Sequence, residues 1–540
     1  MSASSGPSIR PLDRPTWSGF LCSADRFPER PALMVEGREF SYRELGDRAM
    51  RIAATIQRHG DCPPQLAAVF GYRTAAAFSG VLGVLLSGNG YVPLNPTFPI
   101  ERTRAMFERS ECATLIVDAR ALAQLDALLD SMRQPIVVIA PDLDDARVLR
   151  DRWPRHRFID AGTLELASSW REPPSSSPDA VSYLLFTSGS TGTPKGVAVA
   201  HRNVRAFLDY MVERYGITEH DRLSQMFDMT FDLSVFDMFM AWERGASVCC
   251  PSQKTLIKPD RFIIDQKLTV WFSVPSSVAL LKNLGALKPD RFPGLRLSLF
   301  CGEPLPVSSV QSWAQAAPNS IIENLYGPTE LTIACTLYRW DSQRSPAESE
   351  MSIVPIGAAY PGMKTLVVDG HLKEVPPGAE GELLMAGPQM SLGYWRDSAK
   401  TADAFVIPQG HREVYYRTGD RVRRPIGDAP LTHLGRVDFQ VKVLGHRVEL
   451  GEIEAVVREL VGADGVVAVG WPPRDGSYGG IHVFVETDQS PPADLRSAIA
   501  GRLPEYMVPK QIHCLSRLPR NPNGKFDRKA MTEMLAGGLG

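Results

Sequence analysis

The chain of 540 residues is longer than one hydrophobic core usually supports, so we expect at least two domains. Charged residues make up 22% and hydrophobic residues 44%, a composition that argues against a disordered or fibrous protein. The 59 Lys and Arg nearly balance the 61 Asp and Glu, and a formal net charge of -2 offers no global basic excess for nucleic acid or an anionic membrane.

The N-terminal region does not resemble a targeting signal. Residues 1–17 carry Ser, Pro, Arg and Asp without the apolar run of a signal peptide. The apolar stretch 75–86 is too short to span a bilayer and contains Ser79 and Gly80, which predicts a buried helix. We therefore expect a cytoplasmic protein.

The first well-marked element is an amphipathic helix. Ser41 followed by Glu44 forms a capping-box pattern, and apolar residues then recur at helical spacing as far as Gly60. Short strand candidates at 114–117 and 136–140 alternate with helical stretches. This alternation predicts a layered α/β architecture.

The segment 168–179 is rich in Pro and Ser, which is typical of a linker, and it precedes a predicted buried strand at 183–186. Beyond Gly435 the pattern changes to mixed α and β over about a hundred residues, which predicts a second, smaller domain. Its predicted elements are a helix at 452–460, strands at 466–469 and 481–485, and a helix around 495–503.

Cysteine and histidine give little support for disulfides or zinc. The eight cysteines show no CxxC spacing, so we expect reduced, mostly buried thiols. The ten histidines include no HExxH pattern.

The loop 187–196, with the sequence TSGSTGTPKG, has the chemistry of a phosphate-binding loop. Its glycines allow backbone N–H groups to approach an anion, its hydroxyls add donors, and Lys195 adds positive charge. Taken alone, the loop is more typical of a flexible Gly/Ser hairpin. A Walker loop is disfavoured, because Pro194 precedes Lys195 and Gly196 follows it.

Four further motifs follow in order, and with them the chain resembles the acyl-adenylate-forming superfamily. This superfamily includes nonribosomal peptide synthetase adenylation domains, acyl-CoA ligases and firefly luciferase. The motifs are NLYGPTE at 324–330, YRTGD at 416–420, GRVDFQVK at 435–442 and NGK at 523–525. The resemblance spans roughly residues 20 to 530. It implies an α/β fold with a large adenylation domain of layered sheets and helices (1–437) and a small, mobile α+β domain (438–540).

The resemblance also implies ATP and Mg²⁺ as cofactors. Asp420 should bind the ribose hydroxyls, Tyr326 should stack on adenine, and Glu330 should hold Mg²⁺ as a hard oxygen ligand. The implied nucleotide-binding residues are Thr187, Ser188, Gly189, Ser190, Thr191, Gly192, Lys195, Gly302, Glu303, Asn324, Tyr326, Gly327, Thr329, Asp420, Arg436 and Lys525.

Three residues carry the implied catalytic roles: Lys525, Glu330 and Thr187. A lysine ammonium at Lys525 can bridge the substrate carboxylate and the α-phosphate as charge develops. Without the family context, Lys525 would be a solvated turn residue, Asp420 would end a strand and Glu330 would cap a helix.

The stretch 231–236 points to an amino acid as substrate. The resemblance places Asp232 where a carboxylate pairs with the substrate α-ammonium, whereas a structural interpretation would have it cap the following helix. Beside an apolar substrate without an amine, such a buried carboxylate would be costly. The implied pocket is Asp232, Leu233, Phe236, Phe272, Leu299, Cys301, Leu325, Ile333 and Ala334.

This lining is apolar apart from Asp232, which favours a compact aliphatic or cyclic amino acid. The combination resembles free-standing prolyl-activating enzymes, so we expect L-proline, with valine, isoleucine and alanine as alternatives. Cys301 is interpreted as a wall residue and not as a nucleophile.

A second half-reaction is also implied. The small domain should rotate about a hinge at Asp438 and admit the thiol of a separate phosphopantetheinylated carrier protein. No nucleic-acid or membrane partner is expected. Two alternatives stay open: an acyl- or aryl-CoA ligase of the same fold, and a catalytically silent nucleotide-binding protein.

Overall fold

The structure is a computed structural model. It describes residues 14–60, 65–130, 132–173, 177–188, 194–437, 440–463, 465–474, 477–488, 491–520 and 526–538.

Seventeen α-helices lie in the described ranges. They are α1 (Ser18–Arg26), α2 (Tyr42–His59), α3 (Ala75–Leu86), α4 (Ile100–Ser110), α5 (Leu122–Asp130), α6 (Arg147–Arg152), α7 (His201–Tyr215), α8 (Leu233–Glu243), α9 (Gln253–Leu256), α10 (Pro259–Asp265), α11 (Ser276–Asn283), α12 (Val307–Ala316), α13 (Ser345–Glu348), α14 (Ser398–Ala404), α15 (Leu450–Val461), α16 (Leu495–Ala500) and α17 (Arg528–Ala536).

The same part of the chain holds 28 strands. They are β1 (Pro31–Val35), β2 (Arg38–Ser41), β3 (Leu66–Phe70), β4 (Gly90–Leu94), β5 (Thr114–Val117), β6 (Val137–Ala140), β7 (Arg157–Asp160), β8 (Val181–Thr187), β9 (Lys195–Ala200), β10 (Arg222–Ser224), β11 (Ser247–Cys249), β12 (Val270–Ser273), β13 (Leu297–Phe300), β14 (Ile321–Tyr326), β15 (Thr336–Arg339), β16 (Ala358–Ala359), β17 (Lys364–Val368), β18 (Glu380–Ala386), β19 (Phe405–Val406), β20 (Tyr415–Arg423), β21 (Thr432–Arg436), β22 (Gln440–Val443), β23 (His446–Glu449), β24 (Val466–Gly470), β25 (Pro473–Arg474), β26 (Ser477–Tyr478), β27 (Ile481–Glu486) and β28 (Gln511–Leu515).

Two large sheets form the N-terminal part. The first has the order β7-β6-β5-β3-β4-β8-β9 and the second the order β16-β15-β14-β13-β12-β10-β11-β1-β2. The first is parallel as far as the antiparallel pair β8–β9, and the second is parallel from β14 to β1. One hydrophobic cluster joins residues of both sheets with residues of α2, α3, α7 and α8. The core therefore lies between the sheets, as expected for packed layers.

A third sheet continues the large part of the chain. It has the order β17-β18-β20-β19, and β21 pairs with β20 on its other side. This pairing places β21, which leads toward the C-terminal region, directly beside the strand that carries Asp420.

The C-terminal region has two small sheets of its own. Their orders are β23-β22-β26-β25 and β24-β27-β28, and a separate hydrophobic cluster joins them to α15 and α16. This arrangement confirms the predicted α/β class with a large N-terminal and a smaller C-terminal part. The boundary at 437/438 stays a prediction, because residues 438–439 lie outside the described ranges.

Local sequence signals predicted several elements well. The capping box is present at the start of α2, where Ser41 Oγ accepts from Glu44 N at 3.2 Å and Ser41 N donates to Glu44 Oε2 at 2.8 Å. Every residue of α3 is buried, as predicted for this apolar stretch. The helix predicted around 495–503 is shorter, since α16 ends at Ala500. The described cysteines are free, and Cys62 lies outside the described residues.

No helix in the described ranges combines the length and the apolar character needed to cross a bilayer. The cytoplasmic location stays a prediction. Within these ranges there is likewise no group of three or more His, Cys, Asp or Glu side chains placed to hold a metal ion.

Candidate active site

The predicted site residues gather where parallel strands end. The neighbouring strands β12, β13 and β14 end at Ser273, Phe300 and Tyr326. In open α/β sheets, ligands bind outside the carboxyl ends of the strands. This topology brings the segment that follows β13 beside the segment that follows β14.

All nine predicted pocket residues are buried, and the eight apolar ones belong to a single hydrophobic cluster. They come from the start of α8, from β12, β13 and β14, and from the turn after Leu331. The structure thus brings together side chains that are about a hundred residues apart in the sequence.

Asp232 does not cap α8 with its side chain, so the helix-capping interpretation is wrong. Its Oδ2 instead accepts a hydrogen bond from the backbone N–H of Ile333 at 3.1 Å. Thr332 and Ile333 both have positive φ, at 56° and 73°, which is a strained conformation for a β-branched residue. The strained turn therefore directs a backbone donor at the buried carboxylate.

Gln389 holds this turn in place. Its Nε2 donates to the backbone carbonyl oxygens of Ala334 at 2.6 Å and Thr332 at 3.2 Å. The backbone carbonyl oxygen of Gln389 accepts from Thr332 Oγ1 at 2.6 Å. No sequence motif marked Gln389, because its role depends on a contact between segments more than fifty residues apart.

Burial raises the pKa of Asp232 to about 7, although hydrogen bonds from the Ile333 amide and the Thr329 hydroxyl oppose the rise. A carboxylate with so little solvation is poised to bind a cation.

Two aromatic rings limit the depth of the pocket. Phe236 and Phe272 pack edge to face, with centroids 4.9 Å apart, and both are fully buried. Phe227 packs on the far side of Phe272, also at 4.9 Å. Burial raises the pKa of the adjacent Cys301 to about 12, so its thiol stays protonated at neutral pH. That state is consistent with a wall residue.

Asp420 lies at the centre of the predicted ribose site. It sits within β20 and not at a strand end, so the turn interpretation is wrong. Its Oδ2 accepts from the Tyr326 hydroxyl at 2.5 Å, and its Oδ1 accepts from Arg436 Nη1 at 2.7 Å and lies 3.3 Å from His433 Nε2. Burial alone would raise the pKa of Asp420, but Arg436 and His433 hold it well below its usual range. The group is a permanent carboxylate.

A narrow cleft of about 20 Å³ joins the predicted adenine-binding residues. Gly302, Glu303, Asn324, Tyr326 and Gly327 line it, together with His433 and Lys442. This volume holds about one water molecule, so the cleft must widen to admit a purine.

Two glycines are required by this geometry. Gly302 has a φ of +91°, which favours glycine. A Cβ atom on Gly327 would lie 2.5 Å from Cα of Ala334, so a side chain there would push the amino-acid pocket apart. Gly327 therefore allows the nucleotide cleft and the amino-acid pocket to share a thin wall.

Glu303 and Asn324 face protein partners on one side. Glu303 Oε2 accepts from Ser276 N at 2.8 Å, whereas its Oε1 is buried without a partner among the described residues. Asn324 Nδ2 donates to the carbonyl oxygens of Val354 and Pro355 at 3.2 and 2.9 Å.

Glu330 is completely buried in a short turn and does not cap an α-helix. Its Oε1 accepts from the Tyr394 hydroxyl at 2.8 Å and lies 3.7 Å from Lys195 Nζ, and its Oε2 accepts from Arg447 Nη1 at 3.1 Å. Burial alone would raise the pKa of Glu330, but Arg447 and Lys195 lower it to about 2. Tyr394 and Arg447 were not predicted as site residues.

Part of the predicted phosphate loop joins this cluster. Thr187 Oγ1 is buried and has no partner among the described residues, and Ser188 Oγ donates to the carbonyl oxygen of Arg447 at 2.9 Å. The predicted residues Gly189, Ser190, Thr191, Gly192, Asp438 and Lys525 lie outside the described residues.

Comparison with known proteins confirms the resemblance stated from the motifs. Residues 20–395 match the family described as AMP-binding enzyme, and residues 452–525 match the AMP-binding enzyme C-terminal domain.

Nearly the whole chain matches two kinds of relative, one of similar length and one that is much longer. The L-proline--[L-prolyl-carrier protein] ligase of Pseudomonas fluorescens is 32% identical over 95% of this chain and 98% of its own length. Tyrocidine synthase 2 of Brevibacillus parabrevis is 31% identical over 94% of this chain, but only 13% of its own length is matched. The chain spans less than half the length of the first curated relatives that it matches.

Among solved structures, the Vibrio cholerae adenylation domain AlmE in complex with glycyl-adenosine-5'-phosphate superposes with a TM-score of 0.86. It is 32% identical, and the match covers 99% of this chain and 100% of that chain. The chain therefore belongs to the AMP-binding enzyme family, an adenylate-forming class of ligases.

Proposed function

We propose that the protein activates a small amino acid with ATP to aminoacyl-AMP, releases pyrophosphate, and then transfers the aminoacyl group to the phosphopantetheine thiol of a separate carrier protein. The observation that carries this proposal is the buried carboxylate of Asp232, which lies in an apolar pocket that shares a wall with the nucleotide cleft. An ammonium-bearing substrate supplies the counter-charge that this carboxylate lacks.

In this proposal, different described residues bind the amino acid and the nucleotide. Asp232 pairs with the α-ammonium, which fixes the substrate carboxylate toward the nucleotide. Asp420 accepts hydrogen bonds from the ribose hydroxyls, and Tyr326, which is held by Asp420, supports the adenine. Catalysis then depends chiefly on placing the carboxylate oxygen in line with the α-phosphate, while Lys525 stabilises the charge that develops.

The residues around Glu330 fit a magnesium site. Glu330 offers a carboxylate oxygen, which is the type of ligand that Mg²⁺ prefers, and the buried Thr187 hydroxyl beside the phosphate loop still lacks a partner among the described residues. When bound, the metal would spread the negative charge of the ATP phosphates. Glu330 would hold the metal, and Lys195 would bind the phosphates beside it.

L-proline is the proposed substrate. The lining is apolar except for Asp232, and Phe236 and Phe272 shorten the pocket, which favours a compact side chain. The proline ligase from Pseudomonas fluorescens supports the same choice. Glycine, alanine, valine and isoleucine are the competing substrates, and the glycyl-adenylate complex of the AlmE structure supports the smallest of them.

A second cavity suits the thiol that accepts the aminoacyl group. It has a volume of about 1130 Å³ and runs between the large part of the chain and the C-terminal region. Phe231 and Leu233 of the large part and Gly445 and His446 of the β22–β23 hairpin lie on its walls. Because Leu233 also belongs to the amino-acid pocket, the cavity offers a route for an extended thiol to the activated carboxyl group.

The domain division at 437/438 and the hinge at Asp438 belong to the same proposal. The C-terminal region contacts the large part through a buried ion pair, in which Arg102 Nη1 lies 2.5 Å from Glu452 Oε1. His446 also packs edge to face with Phe231 of the large part, with ring centroids 4.8 Å apart, and stacks on Tyr506 at 3.7 Å. We assign this arrangement to thioester formation, since it forms the cavity and places the β22–β23 hairpin against the nucleotide site.

Amino-acid-dependent exchange of labelled pyrophosphate into ATP tests the function directly. With Mg²⁺ and purified protein, exchange should peak with L-proline and be absent with aryl and fatty acids. A peak at another small amino acid keeps the reaction class and rejects proline. Exchange only with aryl or fatty acids, or no exchange with any acid, would reject amino-acid activation.

The pH dependence of amino-acid binding should follow Asp232. Because the pKa of this carboxyl group is raised to about 7, the carboxylate is lost as the pH falls through 7. The KM for the amino acid should therefore rise about tenfold for each pH unit below about 7. The KM for ATP provides the control between pH 6 and 8, because the pKa of Asp420 is well below this range. A pH-independent KM for the amino acid would contradict the assignment of Asp232.

A further inference from the structure

The β22–β23 hairpin brings a cation into the predicted metal site. Arg447, in β23, donates from Nη1 to Glu330 Oε2 at 3.1 Å across 117 positions of sequence. Its side chain is 21% exposed, whereas that of Glu330 is fully buried. Because Glu330 has no access to solvent in this arrangement, nearby cations compensate its charge.

Arg447 is itself held in position on both sides. Its Nε donates to Gln440 Oε1 at 2.8 Å within the hairpin, and its carbonyl oxygen accepts from Ser188 Oγ of the phosphate loop at 2.9 Å. The guanidinium is thus directed at Glu330 from a rigid β-ladder, while the backbone of the same residue contacts the large part of the chain.

The other oxygen of Glu330 is also engaged. Tyr394 donates to Oε1 at 2.8 Å, and the ammonium of Lys195 lies 3.7 Å away. A divalent cation on Glu330 would therefore meet Lys195 on one side and Arg447 on the other. Arg447 Nη1 already occupies Oε2 at 3.1 Å, so a metal ion bound to this oxygen would have to displace the guanidinium, whose positive charge it would also repel.

We propose that Arg447 is a positioning residue that replaces the metal on Glu330 when the hairpin docks, so that metal binding and hairpin docking exclude each other. This inference rests on the proposed function, in which pyrophosphate is released after adenylate formation and Glu330 would hold the metal. Glu330 then binds Mg²⁺ during adenylation and Arg447 during thioester formation. The same carboxylate thus couples release of the metal to closure of the cavity that admits the thiol.

Two measurements without turnover test this exchange. The probe is Mg²⁺ with α,β-methylene-ATP, an analogue that cannot form an adenylate. Calorimetry should show that Arg447→Gln binds this complex at least tenfold more tightly than the wild type, because the competing cation is gone. Hydrogen exchange of residues 440–449 should increase when the complex binds the wild type, but AMP without metal should not increase it.

Variants separate a positioning role from a merely structural one. Arg447→Lys keeps the charge and should lie between the wild type and Arg447→Gln, whereas Glu330→Gln should release the hairpin even without metal. Arg502→Gln is the matched control, since Arg502 pairs with Glu459 at the surface of the C-terminal region. It should change neither measurement. If Arg447→Gln is unstable, Arg447→Lys provides the test. The proposal is overturned if this variant binds the Mg²⁺ complex with the affinity of the wild type and hydrogen exchange of the hairpin does not respond to the complex.

The kinetic split gives a third readout. In Arg447→Gln, the ratio of the transfer rate from preformed aminoacyl-AMP to the rate of pyrophosphate exchange should fall at least tenfold. Unchanged affinity and unchanged hairpin exchange in Arg447→Gln would overturn the proposal even if transfer were slower. Failure of the wild type to exchange pyrophosphate would instead reject the proposed function, so the two failures are distinguishable.

Discussion

Replacing Asp232 with asparagine should raise the KM for the amino acid at least a hundredfold and leave the KM for ATP within about threefold. Removal of one partner of a buried ion pair costs about 3 to 5 kcal/mol, because the other charge is left without compensation. Asparagine keeps the size of the side chain and an oxygen that can accept from the Ile333 amide. The substitution therefore removes mainly the ion pair with the substrate ammonium. Amino-acid-dependent pyrophosphate exchange at saturating ATP measures it.

The same substitution should stabilise the protein without its substrate. A carboxyl group whose pKa is raised by burial opposes folding as the pH rises, since the unfolded chain releases the proton more readily than the folded one. The difference between about 7 and the ordinary value near 4 corresponds to roughly 4 kcal/mol. This cost grows between about pH 4 and 7 and is constant above that range. The thermal unfolding temperature of Asp232→Asn should therefore exceed that of the wild type, and the difference should be larger at pH 7.5 than at pH 5.

Asp237 provides the matched control. It lies on the same helix, its burial raises its pKa well above the usual value, and both carboxylate oxygens lack hydrogen-bond partners among the described residues. It does not belong to the predicted pocket. Asp237→Asn should also stabilise the protein but should leave the KM for the amino acid unchanged. An equal rise of KM in both variants would mean that Asp232 acts only through the packing of α8.

Local physics explains which elements could be predicted from the sequence. The start of α2 depends on Ser41 and Glu44, three residues apart, so its capping box is visible in the sequence. The burial of α3 follows from its own composition, which leaves no polar face. The C-terminal end of α16 was predicted less well, because the helix begins at Leu495 as expected but ends at Ala500.

Within the site, motifs located the residues but did not determine their environment. Asp420 was recognised from its neighbours in the chain, yet its placement within β20 depends on the pairing of β20 with β18 and β21. The short motif around Glu330 did not show which cations surround it, because Arg447 and Tyr394 come from distant segments. No sequence signal predicted the positive φ of Ile333, since β-branched residues rarely adopt positive φ. Such features depend on long-range packing.

The sequence alone did not mark Arg447 as a site residue. The residue lies in the strand that follows the GRVDFQVK motif, and it precedes an acidic helix start at Glu449 and Glu452. An arginine in a short, charged hairpin is usually a solvated surface residue. Only the contact with a buried carboxylate distinguishes it, and that contact requires the fold.

Replacing Lys525 with alanine should lower amino-acid-dependent pyrophosphate exchange by about 100- to 1000-fold, which is the usual effect of removing one group that stabilises developing charge. Binding of ATP should be kept, because the proposed nucleoside contacts come from Asp420 and Tyr326, which are hydrogen-bonded to each other and do not depend on Lys525. Transfer from preformed aminoacyl-AMP to a carrier thiol should also be kept, since the resemblance assigns Lys525 to the first half-reaction alone. Calorimetry with α,β-methylene-ATP measures nucleotide binding, pyrophosphate exchange measures adenylation, and a single-turnover assay measures transfer to the thiol.

The described lysines make this prediction specific. Lys195 lies 3.7 Å from Glu330, and Lys442 lines the adenine cleft, so each is a rival for the catalytic charge. The control is Lys529→Ala, because Lys529 is highly exposed and forms an ion pair with the exposed Glu533 at 3.9 Å. If Lys195→Ala or Lys442→Ala abolished exchange while Lys525→Ala did not, the catalytic lysine would belong to the described part of the site. A loss of transfer but not of exchange in Lys525→Ala would assign Lys525 to the transfer step and contradict its role in adenylation.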